Sequence, residues 1–172
     1  DLDLAAETAV TARFQNAGQS CIAAKRFILL ESTADEFLRC LLPRIEALRV
    51  GDPSRDDTDI GPLARADLRE TLHRQVVESV SAGARRLLGG APLAGPGCYY
   101  RPTVLDGVRA GMPAYHEELF GPVVAILRAR DEAEALRLAN DTRYGLGASV
   151  WSRDAVRAEQ FVRAIHSGLG FV

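Results

Sequence analysis

The sequence predicts an α/β fold, a mostly parallel sheet flanked by helices. Three observations carry this. From Lys25 onward, short apolar runs of strand length alternate with helical patterns. Residues 65–82 form a clear amphipathic helix, with Leu68, Leu72, Val76, Val77 and Val80 spaced to share one face. The chain has 172 residues, 47% apolar and 26% charged, which suffices for one soluble domain with its own core.

Each element has its own signal. Asp1–Arg13 reads as a helix, with Leu2, Leu4, Ala5, Ala9 and Ala12 as a loose apolar stripe. Asn16-Ala17-Gly18 ends it, because glycine tolerates the left-handed geometry of a helix stop. Lys25–Leu30 is a short buried strand. Ser32-Thr33 opens the next helix, with Thr33 and Glu36 as a capping box and Phe37, Leu38, Leu41, Ile45 and Leu48 as its buried face. Pro43 inside that pattern predicts a kink or a break. Residues 51–63 form a loop, and Gly83 caps the helix at 65–82. Strands follow at 85–88, 102–105 (extended), 122–127, 147–151 and 168–172, with helices at 131–140 and 154–165. Residues 89–97, GGAPLAGPG, are a turn-rich surface excursion, and 108–115 are irregular. No repeat, low-complexity segment or linker is visible, so residues 1–172 are assigned to one domain.

Composition excludes several classes. A net charge of −2 suggests neither nucleic acid nor an anionic membrane as a partner. No apolar run reaches membrane-spanning length, and no signal peptide is visible. The first residue is Asp rather than Met, so a piece of something longer is expected. Three widely spaced cysteines, Cys21, Cys40 and Cys98, fit neither a disulfide framework nor a zinc site, and a reducing, cytoplasmic setting is the default.

Two stretches carry chemistry. In FQNAGQSCIAAKRFIL (14–29), Cys21 sits between a Gly-Gln-Ser turn and a strand-like run, and Ala23-Ala24 leave room beside it. A free cysteine is usually a small buried hydrophobe. A nucleophile needs help to ionise at neutral pH, since an unperturbed thiol has a pKa of about 8.5; Lys25 and Arg26 are near in sequence, their direction undefined. Cys40 and Cys98 are read as a helix-packing and a loop thiol. In Glu117-Glu118-Leu119-Phe120-Gly121-Pro122-Val123, two acids and an aromatic precede a Gly-Pro turn into a strand. His116 beside them lacks the H-E-x-x-H spacing, so His116, His73 and His166 are read as non-ligands. No G-x-G-x-x-G follows a strand, and 89–97 enter no phosphate-binding pattern.

N-x-G-Q-x-C, at Asn16, Gly18, Gln19 and Cys21, resembles the catalytic-cysteine segment of the aldehyde dehydrogenase superfamily. E-E-L-F-G-P-V at 117–123 is similar to its segment at the nicotinamide end of the cofactor. GDP at 51–53, GPLA at 61–64, YYRPTVL at 99–105, NDTRYGLGASVW at 140–151 and SGLGFV at 167–172 keep the family's order. The resemblance implies the α/β catalytic domain of such an enzyme, incomplete at both ends and without its dinucleotide-binding domain. It implies Cys21 as nucleophile, forming a thiohemiacetal and then a thioester. Glu118 would accept hydrogen bonds from the nicotinamide ribose hydroxyls, and Phe120 would pack on the nicotinamide side. The cofactor would be NAD or NADP, the substrate a small aldehyde, the setting cytoplasmic and the full-length enzyme a homo-oligomer. FQNAGQSCIAAKRF, GPLARADLRETLHRQV and YYRPTVL look like the bacterial NAD(P)-dependent succinate-semialdehyde dehydrogenases, which points to succinate semialdehyde.

Two departures qualify this. The family's general-base glutamate and oxyanion amide lie upstream of the present residues, so these 172 residues alone are expected to be inactive as a dehydrogenase. Some succinate-semialdehyde dehydrogenases carry an Arg six residues before the cysteine to clamp the substrate carboxylate. Here that position is Gln15, so another residue does so or the substrate differs. Rival readings are a cysteine-dependent esterase and a non-catalytic packing or interaction remnant.

Overall fold

A computed structural model describes residues 1–172. Its elements are α1 (Leu2–Phe14), a 3-10 turn (Gln15–Gly18), β1 (Arg26–Leu30), α2 (Glu31–Glu46), α3 (Ala66–Ser81), β2 (Arg85–Leu88), β3 (Thr103–Asp106), α4 (Pro113–His116), β4 (Val123–Ala129), α5 (Glu132–Asn140), β5 (Gly147–Ser149), α6 (Ala155–Arg163) and β6 (Leu169–Phe171). Four strands form a sheet in the order β1-β4-β3-β2, parallel at β1/β4 and β4/β3 and antiparallel at β3/β2. A separate parallel pair joins β5 and β6. The expected α/β class with a mostly parallel sheet is what forms.

Central strand β4 explains the architecture. Its run VVAILRA is buried at every position but one, as a strand covered on both faces must be. Val123, Ala125, Leu127 and Ala129 face a core shared with Leu72 and Val76 of α3, Ala114 and Tyr115 of α4, and Ala135 and Leu138 of α5. Val124 and Ile126 face the opposite core, built with Ala6, Ala9 and Phe14 of α1 and Phe37, Leu38, Leu41 and Ile45 of α2. The alternation follows from the two-residue period of a strand. None of the helices is long and apolar enough to cross a membrane.

Several expectations are corrected. Strand β1 is only half-buried throughout, because it is the edge of the sheet. Helix α2 starts at Glu31, directly from β1. No capping box forms, and the Thr33 hydroxyl instead donates to the Leu30 carbonyl at 3.2 Å. The helix also runs through Pro43 to Glu46. On α3 the buried face is Leu72, Gln75, Val76 and Ser79, while Val77 and Val80 are exposed. The irregular stretch at 108–115 includes the start of the one-turn helix α4, with Pro113 in its first turn.

Candidate active site

The chain leaves α1 through an unusual turn. Asn16, Ala17 and Gly18 have φ of 50°, 54° and 74°, three successive residues in the left-handed region. For a residue with a Cβ that conformation costs about 1–2 kcal/mol, so surrounding bonds must hold it. They do. The Gln19 N–H donates to the Asn16 carbonyl at 3.0 Å, and the Asn16 amide donates to the Gln19 carbonyl at 2.9 Å. The Gln19 side chain then accepts from the Ala64 N–H at 2.8 Å, tying the turn to the GPLA loop. The expected left-handed stop is therefore present, but alanine shares it with glycine and asparagine.

This turn delivers Cys21 to the surface. Cys21 is an exposed free thiol, inside a second turn closed by the Ala23 N–H donating to the Ser20 carbonyl at 3.2 Å. The Cys21 N–H donates to no acceptor within the chain. Ile22 beside it is exposed, whereas Ala23 is buried; the open space lies at Cys21 and Ile22, not at the Ala23-Ala24 pair. Cys40 and Cys98 are half-buried, among the packing around the two cores.

Lys25 folds back over this turn. Its ammonium donates to the carbonyls of Ser20 at 2.8 Å, Ala23 at 3.1 Å and Cys21 at 3.3 Å. It also pairs with Glu118 Oε1 at 3.1 Å and lies 5.9 Å from the centroid of the Phe120 ring. Burial pushes the Lys25 amine below its usual range, opposed by Glu118. Arg26 points elsewhere, over the Tyr115 ring and onto the Leu138 carbonyl at 2.8 Å. One lysine thus joins the cysteine turn to the second motif, and Cys21, Glu118 and Phe120 converge around it.

Helix α3 fixes that second motif from behind. The Gln75 amide donates to a Glu117 carboxylate oxygen at 2.9 Å and to the Glu118 carbonyl at 3.2 Å. Arg74 donates to the same Glu117 oxygen at 2.9 Å. Together, Gln75 first, these hold the Glu117 carboxyl below the usual carboxylate range. Glu118 is left facing Lys25, and its second carboxylate oxygen accepts no hydrogen bond from the protein. Such an oxygen suits a hydroxyl donor, because an ionised carboxylate is acceptor-only. Phe120 is half-buried and offers an apolar face to a flat ring. These two residues could hold the ribose and nicotinamide end of a dinucleotide.

No group of three or more His, Cys, Asp or Glu side chains is arranged to hold a metal ion. His116 accepts from the Gly111 N–H at 3.0 Å, and His73 shares a hydrogen bond with the Tyr100 hydroxyl at 3.1 Å. Both act as structural partners.

Sequence reasoning missed Arg13 and Gln75, and it left Lys25 without a direction. Gln75 had a signal: a polar residue three positions after Leu72 and one before Val76 falls on the buried stripe, where an amide needs a partner. Arg13 had none, because an arginine in the last turn of a helix ordinarily faces solvent near the carbonyl end.

Known proteins resemble this chain along its whole length. A profile described as the aldehyde dehydrogenase family matches residues 1–172. A succinate-semialdehyde dehydrogenase [NADP(+)] of Mycobacterium avium (strain 104) is 47% identical over all of this chain and 36% of its own length. The succinate semialdehyde dehydrogenase [NAD(P)+] Sad of Escherichia coli (strain K12) is 46% identical over all of this chain and 37% of its own. A crystal structure of an NAD-dependent aldehyde dehydrogenase from Sinorhizobium meliloti superposes with a TM-score of 0.95 at 38% identity, over 99% of this chain and 34% of that one. The chain spans a little over a third of the length of the curated relatives it matches.

Proposed function

The chain belongs to the aldehyde dehydrogenase family, and from that premise we propose that it is the cysteine-bearing part of an NAD(P)-dependent enzyme oxidising succinate semialdehyde to the acid. The observation that carries the reading is the convergence of exposed Cys21 with Glu118 and Phe120 around the Lys25 ammonium. In this reading the Cys21 thiolate adds to the aldehyde carbonyl carbon, and the carbonyl electron pair moves to oxygen. The free Cys21 N–H is a donor for that oxyanion. Collapse of the thiohemiacetal expels hydride and leaves a thioester on Cys21. Bound NAD(P) supplies the hydride acceptor. Glu118 would hold its ribose hydroxyls, and Phe120 would pack on its ring. Water then hydrolyses the thioester to the acid and restores the thiol. The base, the oxyanion amide and the dinucleotide-binding domain belong, on this reading, to other parts of a longer polypeptide, and residues 1–172 to one catalytic domain. A homo-oligomer in the cytoplasm is the setting proposed for the whole enzyme.

The substrate assignment rests on the likeness to succinate-semialdehyde dehydrogenases at 46–47% identity, with Gln15 where a carboxylate-clamping arginine could stand. The deciding experiment mixes the full-length protein with succinate semialdehyde and either nucleotide, then quenches and measures the mass of the Cys21 peptide. NAD(P)H formation with a succinyl adduct on Cys21 is expected. Nucleotide reduction with no adduct there would remove Cys21 from the reaction. Ester hydrolysis without any nucleotide reduction would favour the esterase reading.

A further inference from the structure

Arg13 is fully buried, yet it pairs with no carboxylate. Its guanidinium instead donates to four backbone carbonyls. Two flank the cysteine turn: Gly18 at 3.4 Å and Ala24 at 3.3 Å. Two flank Phe120: Leu119 at 2.8 Å, and Gly121. The last two are 106 and 108 residues away in the chain. The Arg13 Nε is buried without a partner, and burial pushes the group down to about 10. Burying a cation among carbonyls is costly, and the fork geometry of guanidinium lets one side chain fix several oxygens at once. The segments it bridges are already in contact. A Cβ placed on Gly18 would lie 2.3 Å from the Gly121 carbonyl oxygen and 2.8 Å from Arg13 Nη2. The carbon that loses hydride is bonded to Cys21, while the acceptor ring is held from the Phe120 side. Their separation is therefore set where Arg13 sits.

We propose that Arg13 is the positioning residue for hydride transfer, its one guanidinium fixing the distance between the Cys21 turn and the Glu118–Phe120 segment. This rests on the dehydrogenase reading above. The test uses the full-length enzyme with Arg13→Lys and Arg13→Gln, counting sites by Cys21 titration. Nucleotide-dependent aldehyde oxidation is expected to fall about 100-fold in kcat for Arg13→Gln, the scale of an ångström-sized misplacement, with Arg13→Lys recovering part of it. The isotope effect with C1-deuterated aldehyde should grow. Alkylation of Cys21 by iodoacetamide, which needs only the thiol, should stay within about threefold, because misalignment, not the thiol's own reactivity, is what changes. Wild-type kcat per titrated site despite a lower Tm would overturn the proposal, as would alkylation and oxidation falling by the same factor. If neither variant folds, Gly18→Ala pushes the Gly121 carbonyl and the Arg13 Nη2 away from the cysteine turn with the guanidinium charge retained, and the same split is expected. Failure of all three to fold would assign Arg13 to stability alone. A wild-type enzyme that reduces no nucleotide would overturn the dehydrogenase reading itself, and this proposal with it.

Discussion

Two turns in this chain use left-handed backbone in opposite ways. In the surface excursion at 89–97, the four residues with positive φ are all glycines: Gly89, Gly90, Gly95 and Gly97. In the cysteine turn, Asn16 and Ala17 adopt that geometry together with Gly18. Glycine enters this region without steric cost, whereas alanine does not. The excursion is an ordinary loop with a tight root and an open tip. A Cβ at Gly95 would meet nothing within 4 Å. The cysteine turn is crossed by bonds from Arg13, Gln19 and Lys25. Glycine content alone would have pointed to the wrong loop. Strain held in place by convergent polar side chains marks the candidate site.

The largest expected contrast is in chemistry. Cys21→Ala in the full-length enzyme removes the atom proposed to form the thioester, and loss of turnover by at least about 10³-fold is expected, as for other covalent nucleophiles. Residual NAD(P)H formation within tenfold of wild type would break the comparison, because the strained turn would then present nothing. Next comes Glu118→Gln. The amide keeps the shape but replaces a charged acceptor, and a hydrogen bond to a charged group contributes about 1.5–3 kcal/mol. The nucleotide KM should rise about tenfold or more by that figure. An unchanged KM with a lowered Tm would assign Glu118 to its ion pair with Lys25 alone.

In the excursion the effect should be confined to stability. Gly95→Ala places a methyl group in open space at φ 108°, so backbone strain of about 1–2 kcal/mol acts, offset by about 0.4–1 kcal/mol from the stiffer unfolded chain. A net loss of up to about 1.5 kcal/mol is expected from chemical denaturation, with kcat and both KM values unchanged. A drop in kcat there would mean that the excursion takes part in the site.

Much of this was legible in the sequence. The apolar run expected as a strand at 122–127 forms β4, which continues two residues further to Ala129 because the sheet pairs it on both sides. The helices expected at 131–140 and 154–165 form as α5 and α6, with Asp131 and Asp154 standing one residue outside as caps that accept from the N–H groups of Glu134 and Arg157. Failures arose where tertiary contacts decide. Thr33 and Glu36 match a capping box, but the edge strand hands over to α2 two residues earlier, so the hydroxyl finds Leu30 instead. Val77 and Val80 fit a broad apolar stripe on α3, yet the buried face has turned toward Gln75 and Ser79. Ser79 donates to the Gln75 carbonyl and accepts from the Ala114 N–H. At the site, Cys21, Glu118 and Phe120 were visible as local motifs. Arg13 was not, because its partners Leu119 and Gly121 lie more than a hundred residues away.

The smallest expected effect is the sharpest test of where the strain lies. Ala17→Gly should relieve about 1–2 kcal/mol of left-handed strain. It also deletes a buried methyl, with Ala17 only 5% exposed, at a cost of about 0.8 kcal/mol. The unfolded chain becomes more flexible by about 0.4–1 kcal/mol. These terms nearly cancel, so unfolding free energy within about 1 kcal/mol of wild type is expected. Activity should hold within twofold, because Arg13, Gln19 and Lys25 still fix the turn. Destabilisation well beyond that range would mean that the methyl's packing, not strain, dominates at Ala17, and the contrast with the excursion would lose its physical basis. Clear stabilisation with reduced kcat would show instead that rigidity of the turn itself, beyond its bonded partners, aims Cys21.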